Sequence, residues 1–391
     1  MSNLLFRSIL CAGTAFFLFA CGDSGTSSND EPGSSVDQSS ESNGEGGSSE
    51  IEGSSDSGLS DEPGVSSETQ TTSSSASACA NTATLARIVG YLPYYRTSWI
   101  ARGDWSKLTH LCLAFFNPDQ NGRFSSKFND EKLAAAIDSA KAHGIKVLAS
   151  IGGGGDGARD VWATKLTENG GVAALADSLA ALVRRLGIDG VDVDLEYSDS
   201  KPAYAAAFDA KYESFVVALR AALGDTALVT AAVANWVGEK FTDAALDQMD
   251  FINVMSYDHS GTWTGKGEHS TYAKAMQETN YWALNRGRGA SFVVLGLPFY
   301  GYYWTTNTAE GENGRGELLA REIAAFWPDH ADDDYFTVDE AGFEKTVSWN
   351  SLKTIDKKSC FARNFGGAMI WELGQDLDDN SFLHTVAAHR E

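Results

Sequence analysis

The stretch from Gly187 to Tyr197 reads Gly-Ile-Asp-Gly-Val-Asp-Val-Asp-Leu-Glu-Tyr, and within it Asp192, Asp194 and Glu196 recur at every second position. Because side chains alternate between the two faces of a β-strand, the three carboxylates lie on one face, ~6–7 Å from one to the next. Like charges crowded into a desolvated place raise each other's pKa, so this pattern weakens a fold but suits acid catalysis. The alternative, a solvated edge strand with an acidic face, is disfavoured because edge strands prefer Lys or Pro.

Eight short apolar runs alternate with longer amphipathic ones, a pattern typical of parallel strands joined by helices. Eight such units between residues 85 and 391 predict an α/β fold, the (β/α)8 barrel, whose active site lies at the C-terminal ends of the strands. The predicted strands are Ile88–Leu92, His110–Phe116, Lys146–Ile151, Gly190–Glu196, Leu228–Val233, Phe251–Tyr257, Phe292–Pro298 and Gly367–Leu373. The predicted helices include Glu131–His143, Val172–Leu186, Ala203–Leu223 and Leu352–Asn364.

The acidic stretch matches the signature Asp-Gly-x-Asp-x-Asp-x-Glu, and the chain thereby resembles glycoside hydrolase family 18, the chitinase family. The resemblance runs from about Arg87 to the C-terminus and implies a catalytic TIM barrel over residues 85–391. It also implies retaining, substrate-assisted hydrolysis of β-1,4-linked N-acetylglucosamine polymers, chitin or chitooligosaccharides. In that mechanism the acetamido carbonyl of the substrate attacks the anomeric carbon.

The resemblance implies a role for each acid. Glu196 is expected to be the general acid, kept protonated by its acidic neighbours until the glycosidic oxygen needs the proton. Asp194 would orient the acetamido nitrogen, and Asp192 behind it would share a proton so that both need not be ionised.

A second motif, Met255-Ser256-Tyr257-Asp258, closes the sixth predicted strand and matches the family's Met-x-Tyr-Asp. This match implies that the Tyr257 hydroxyl donates to the acetamido carbonyl and that Asp258 contacts the sugar. Trp371 matches the tryptophan that floors the subsite of the distorted sugar, since the apolar faces of sugars stack on aromatic rings.

Ser150-Ile151-Gly152-Gly153 matches the family's Ser-x-Gly-Gly motif, whose Ser supports the inner Asp and whose glycines allow a tight turn. The glycine-rich run is not a phosphate loop, because it lacks the terminal Gly-Lys-Ser/Thr. The predicted substrate-binding residues are, together, Trp371, Asp258, Met255, Tyr91, Phe115, Ser150, Gly152, Gly153 and Trp236.

Two features depart from the family pattern. Many chitinases place a Trp after the Ser-x-Gly-Gly motif, where this chain has Gly154 and Gly155. The long connection over residues 299–347 matches an α+β insertion of the family in reduced form, which implies a shallower groove. Both features leave open an endo-β-N-acetylglucosaminidase that cuts the chitobiose core of N-glycans. A non-catalytic chitin-binding lectin is the alternative from another class, and the presence of Glu196 speaks against it.

The N-terminal region predicts export. Residues 1–20 form an apolar signal peptide after Arg7, and Leu18-Phe19-Ala20-Cys21 has the form of a lipobox. Lipidation of Cys21 would anchor the protein to the cell envelope, at the outer membrane or cell surface. Residues 21–84 hold twelve acids and no Lys or Arg, a composition typical of a disordered, extended linker.

Charge and cysteine content restrict which partners, metals and cofactors the protein is expected to bind. The chain carries a net charge of −23, which argues against nucleic acid as a partner and is compatible with neutral chitin. Cys79 and Cys360 could form a disulfide, whereas Cys112 lies within an apolar strand. No His or Cys pair has ligand spacing, so we expect no metal and no cofactor. A monomer is expected.

Overall fold

The computed structural model describes residues 83–307, 313–340 and 342–390. The predicted signal peptide, Cys21, Cys79 and all but the last two residues of the predicted linker lie outside these ranges. Within the described ranges, no helix has the length and apolar character needed to cross a membrane.

The described chain contains thirteen strands. They are β1 (Ile88–Pro93), β2 (His110–Pro118), β3 (Phe124–Ser126), β4 (Lys146–Gly152), β5 (Gly190–Asp194), β6 (Leu228–Val233), β7 (Phe251–Val254), β8 (Val293–Pro298), β9 (Tyr300–Asn307), β10 (Asn313–Leu319), β11 (Tyr335–Glu340), β12 (Phe343–Ser348) and β13 (Gly367–Trp371). Eight of them are parallel and close a barrel in the order β1-β2-β4-β5-β6-β7-β8-β13, with β13 paired to β1. The predicted (β/α)8 barrel is confirmed.

Ten α-helices lie in the described ranges, most of them in the connections between barrel strands. They are α1 (Trp99–Arg102), α2 (Asp130–Ala142), α3 (Asp156–Thr167), α4 (Gly171–Leu186), α5 (Pro202–Leu223), α6 (Asp243–Leu246), α7 (Tyr272–Asn280), α8 (Ala320–Phe326), α9 (Leu352–Ala362) and α10 (Ser381–Ala387). Local sequence fixes two ends: α5 begins at Pro202, and α4 is terminated by Gly187, the next residue, which has a left-handed backbone.

Three predicted strands extend too far, the last of them by two residues, because β13 ends at Trp371 and not at Leu373. β5 ends at Asp194 and β7 at Val254, so that Glu196 and Tyr257 lie just beyond their strands. At the end of β5, the Gly153 backbone N–H donates to the Asp194 carbonyl at 2.7 Å. Both side chains consequently stand at the barrel mouth rather than within the sheet.

The connection after β8 forms a sheet of its own. Strands β9 to β12 pair antiparallel in the order β10-β9-β12-β11, and α8 packs against them. Tyr300, Tyr302 and Trp304 alternate along β9, as expected for a strand with one buried face, and all three are buried.

The ends of the described domain meet at the foot of the barrel, where strands begin. The Leu85 backbone N–H donates to the His389 carbonyl at 2.9 Å, just ahead of β1 and just after α10.

The cysteines differ in state: Cys112 is a buried free thiol and Cys360 is disulfide-bonded. The predicted partner Cys79 lies outside the described residues.

Candidate active site

Asp192 occupies the centre of the barrel and is fully buried. Its Oδ2 accepts hydrogen bonds from the Tyr91 hydroxyl and the Ser150 hydroxyl, each at 2.8 Å. Its Oδ1 accepts from the Thr230 hydroxyl at 2.6 Å and, more distantly, from Asn253 Nδ2 at 3.4 Å. Burial raises the pKa of Asp192, and these four donors oppose that rise because they favour the ionised carboxylate.

Asp194 is equally buried but lacks such support. Its Oδ1 has no hydrogen-bond partner among the described residues. Burial, followed by the charges of Glu196 and Asp192, raises its pKa well above the ordinary range of an Asp. Of the two neighbouring carboxyls, Asp194 is therefore the one that holds a proton, and its unpaired oxygen is available to a ligand.

Glu196 stands two residues beyond Asp194, with about a third of its side chain exposed (32%). Burial raises its pKa to about 7; the charge of Arg159 lowers this value and the charge of Asp258 raises it. The side chain is thus protonated up to neutral pH in a place open to the cleft, which is what a general acid requires.

Gly152 and Gly153 hold the backbone that faces these acids. Both have positive φ angles, 99° and 83°, which strain residues with a side chain. A Cβ on Gly152 would lie 2.2 Å from the Asp194 carbonyl oxygen, and one on Gly153 would meet the Phe115 ring at 2.5 Å. Glycine is therefore required at both positions for the strand ends to meet.

Aromatic rings line the barrel mouth beside the acids. Trp371 stacks on Phe115, with ring centroids 5.8 Å apart and planes 23° apart, and lies 5.5 Å from the Tyr91 ring. Tyr91 was predicted to contact the substrate, but its side chain is only 1% exposed and its hydroxyl is committed to Asp192. The structure places it beneath Trp371, where it supports the acid.

The Met-x-Tyr-Asp motif contributes two groups at the opposite wall. Tyr257 is nearly buried, and its hydroxyl lies 4.0 Å from the Met369 sulfur. Asp258 has a left-handed backbone with φ 65° and accepts hydrogen bonds from the Tyr300 and Tyr302 hydroxyls at 2.5 and 2.9 Å. These two bonds hold its carboxylate at the edge of the cleft, where its side chain is 39% exposed.

Two cavities lie at the barrel mouth. One, of about 830 Å³, is lined by Glu196, Met255, Tyr257 and Asp258, with the exposed rings of Trp236 and Trp263. The other, of about 690 Å³, is lined by Trp371, Phe115 and the glycine-rich turn. Gly154 lines the second cavity and lies close to the acid of the first, since an added Cβ there would be 3.2 Å from a Glu196 carboxylate oxygen. Glu196 therefore lies near both cavities of the barrel mouth.

Sequence reasoning missed some of the residues that build the site. Thr230 and Asn253 are polar residues inside apolar strands, a signal that could have identified them as partners of Asp192. Arg159 lies on α3, a helix that was not predicted, and nothing in the local sequence marks its proximity to Glu196. Among the described residues, no group of three His, Cys, Asp or Glu could hold a metal ion.

An acid that stays protonated up to neutral pH, in an aromatic-lined cleft at the mouth of a (β/α)8 barrel, is an arrangement suited to glycoside hydrolysis. The family model described as glycosyl hydrolases family 18 matches residues 87–376, and the chain belongs to that family.

Known relatives agree with this assignment. The GH18 chitinase ChiB from the chitin utilization locus of Flavobacterium johnsoniae shares 30% identity, with a TM-score of 0.66 over 78% of this chain and 94% of its own. Chitotriosidase-1 of Mus musculus is 26% identical over 71% of this chain and 68% of its own. A Cycas revoluta GH18 chitinase, solved in complex with (GlcNAc)3, shares the fold at 22% identity, with a TM-score of 0.64 over 78% of this chain and 99% of its own.

Proposed function

We propose that the protein hydrolyses β-1,4-linked N-acetylglucosamine polymers, chitin or chitooligosaccharides, with retention of configuration and assistance from the substrate. The observation that carries the proposal is the state of Asp194. Its Oδ1 is buried and has no partner in the described part of the chain, and Asp194 lies between the supported Asp192 and the partly exposed Glu196. An unpaired buried polar atom is costly unless a ligand completes it, and an acetamido N–H would do so.

The proposed reaction has two steps. Glu196 donates its proton to the glycosidic oxygen while the acetamido carbonyl oxygen bonds to the anomeric carbon, and the bond to the leaving sugar breaks. Asp194, sharing its proton with Asp192, accepts the acetamido N–H of the resulting oxazolinium ion, and the Tyr257 hydroxyl donates to the acetamido oxygen. Water then attacks the anomeric carbon, the ionised Glu196 takes the water's proton, and the acetamido group is released.

Chitin is favoured over N-glycans as the substrate. The three acids, Trp371 and the family match resemble chitinases, and relatives such as ChiB of Flavobacterium johnsoniae and chitotriosidase-1 of Mus musculus carry chitinase names. The open side at Gly154 and Gly155 favours the second candidate, an endo-β-N-acetylglucosaminidase, because a branched glycan needs that room. We expect short oligomers, mainly the disaccharide, from soluble or amorphous chitin, and weak action on crystalline chitin.

The test is to incubate the protein side by side with colloidal chitin, (GlcNAc)5 and a high-mannose glycoprotein, and to identify products by mass spectrometry. Release of N-acetylglucosamine oligomers from the first two supports the proposal. Glycan release from the glycoprotein without chitin oligomers would select the second candidate, and binding of (GlcNAc)5 without turnover would select a lectin. Rapid cleavage of fully deacetylated chitosan would rule out assistance by the acetamido group, which that polymer lacks.

We also propose that the chain is exported and anchored to the cell envelope through a lipid on Cys21. The proposal rests on the apolar run after Arg7 and on the Leu18-Phe19-Ala20-Cys21 sequence. Replacing Cys21 with Ser should block processing or release the protein from membranes, as measured by fractionation. A wild-type protein found free in solution with an unmodified N-terminus would contradict this.

A further inference from the structure

A guanidinium group faces the acid from a direction that the reaction scheme does not use. The glycine-rich turn at the end of β4 leads into α3, and Arg159 lies in the first turn of that helix. Its Nη2 is 3.8 Å from Glu196 Oε2, and its side chain is only 11% exposed. The group is therefore held inside the wall of the cleft and is not a mobile surface charge.

The other groups that act on Glu196 are acidic or neutral. Asp258 after β7 places negative charge near it, and Asp194 on β5, which holds a proton, lies beside it. Tyr204 on α5 and Tyr257 after β7 also face it, and the pKa of each is raised, chiefly by burial, so both are neutral throughout the working range. In the described chain, Arg159 is the Lys or Arg side chain that lies within 4.0 Å of the carboxylate.

The distance suits a specific task. At 3.8 Å the contact is too long for a hydrogen bond, so Arg159 does not occupy the oxygen that exchanges a proton with substrate and water. It acts through charge alone, which remains strong where water is largely excluded. A group of this kind stabilises the ionised form of Glu196 without blocking the transfer.

We propose that Arg159 is a positioning residue of the reaction, which stabilises the Glu196 carboxylate between the two proton transfers and thereby sets the alkaline limit of activity. The inference rests on the proposed function. After Glu196 has given its proton to the leaving sugar, its new charge would lie near Asp258 and the Asp192–Asp194 pair. Arg159 stabilises that charge until water returns a proton. Because its own charge lowers the pKa of Glu196, it limits how tightly the carboxylate binds the returned proton.

The test compares the pH dependence of kcat/KM for (GlcNAc)5 in the wild type and in two neutral variants, Arg159→Gln and Arg159→Met. In the wild type, kcat/KM falls as pH rises through about 7, where Glu196 loses its proton. This fall is the alkaline limb of the pH profile. Without the positive charge Glu196 binds its proton more tightly, so the alkaline limb should move to higher pH by about one unit. Arg159→Lys should bring the limb back towards the wild-type position.

Lys165→Gln is the matched control. Lys165 lies on the same helix, is equally buried at 11% exposure, and pairs with Glu168 rather than with an acid of the site. Its replacement removes one positive charge from α3 and should leave the pH profile where it is. A limb that moves as far in this variant as in the Arg159 variants would overturn the proposal, because the effect would then come from net charge.

The remaining outcomes also decide the question. A folded neutral variant that loses rate at every pH, with its limb unmoved, would make Arg159 a structural residue. Failure of both neutral variants to fold, judged by thermal unfolding, would do the same. A wild type that does not cleave (GlcNAc)5 would instead count against the proposed function itself.

Discussion

The floor and the rim of the cleft are built in opposite ways. On the floor, Asp192 is held by donors from four different barrel strands, and all of these side chains are buried. On the rim, Trp236 is 67% exposed on a short 3-10 helix after β6, and Trp263 is 60% exposed on the loop after β7. The barrel strands thus hold the buried acid, whereas the connections that follow them form the rim of the cleft.

This contrast determines how each region should respond to mutation. A change on the floor removes a hydrogen bond from a buried charge, so it should affect both stability and rate. A change on the rim removes a side chain that is exposed in the free protein and packs against little else. It should therefore weaken substrate binding and leave stability and kcat unchanged. The following variants test that division, from the largest expected effect to the smallest.

Replacing Glu196 with Gln should lower kcat by on the order of 10³-fold, because the proton donor is lost. The substitution is nearly isosteric, so (GlcNAc)5 should still bind with an affinity close to that of the wild type. Stopped assays give the rate, and calorimetric titration gives the affinity. If more than a few per cent of the wild-type rate survived, the proton would have to come from another residue.

Replacing Asp194 with Asn should lower kcat by on the order of 10²-fold, the scale expected when a group that stabilises the transition state is lost. Stability should stay the same or increase, because burial keeps Asp194 protonated and the neutral amide avoids the cost of a buried charge. Urea unfolding beside the kinetic assay measures both. A marked loss of stability would show that Asp194 is ionised and paired in the folded protein.

Replacing Thr230 with Val removes one of the four donors to Asp192 and leaves the shape of the side chain almost unchanged. Loss of a hydrogen bond to a charged group should cost about 1.5–3 kcal/mol of stability, and kcat should fall roughly tenfold. Thr279→Val is the control, since Thr279 is equally buried but donates to a helix carbonyl. Equal losses of stability and kcat in the two variants would show that the hydrogen bond to Asp192 contributes no more than an ordinary buried hydrogen bond.

Replacing Trp236 with Ala should raise the KM for (GlcNAc)5 roughly threefold to tenfold, the scale of one lost stacking contact, and leave kcat unchanged. Phe326→Ala provides a control, because that ring is 61% exposed on α8, away from both cavities. An unchanged KM in the Trp236 variant would mean that the sugar chain leaves the cleft by another path.

The two regions were also predictable to different degrees. The barrel and the three acids follow from local alternation, since a strand puts every second residue on one face whatever surrounds it. The role of Tyr91 did not follow, because its hydroxyl bonds a residue 101 positions away. Helix α3 was missed because a glycine-rich run precedes it and Gly157 lies in its first turn, which hides where the helix begins, and Arg159 was missed with it. Contacts between distant elements depend on how the barrel closes.

The hydrogen bond between Leu85 and His389 places both ends of the barrel domain on the same side, away from the cleft. Both residues lie at the foot of the barrel, whereas Glu196 and Trp371 stand at its mouth, a full strand length away. A tag, a solid support or a fused domain joined at either end of the barrel is therefore attached on the face opposite the cleft. Immobilisation through either end should leave access to the cleft unobstructed.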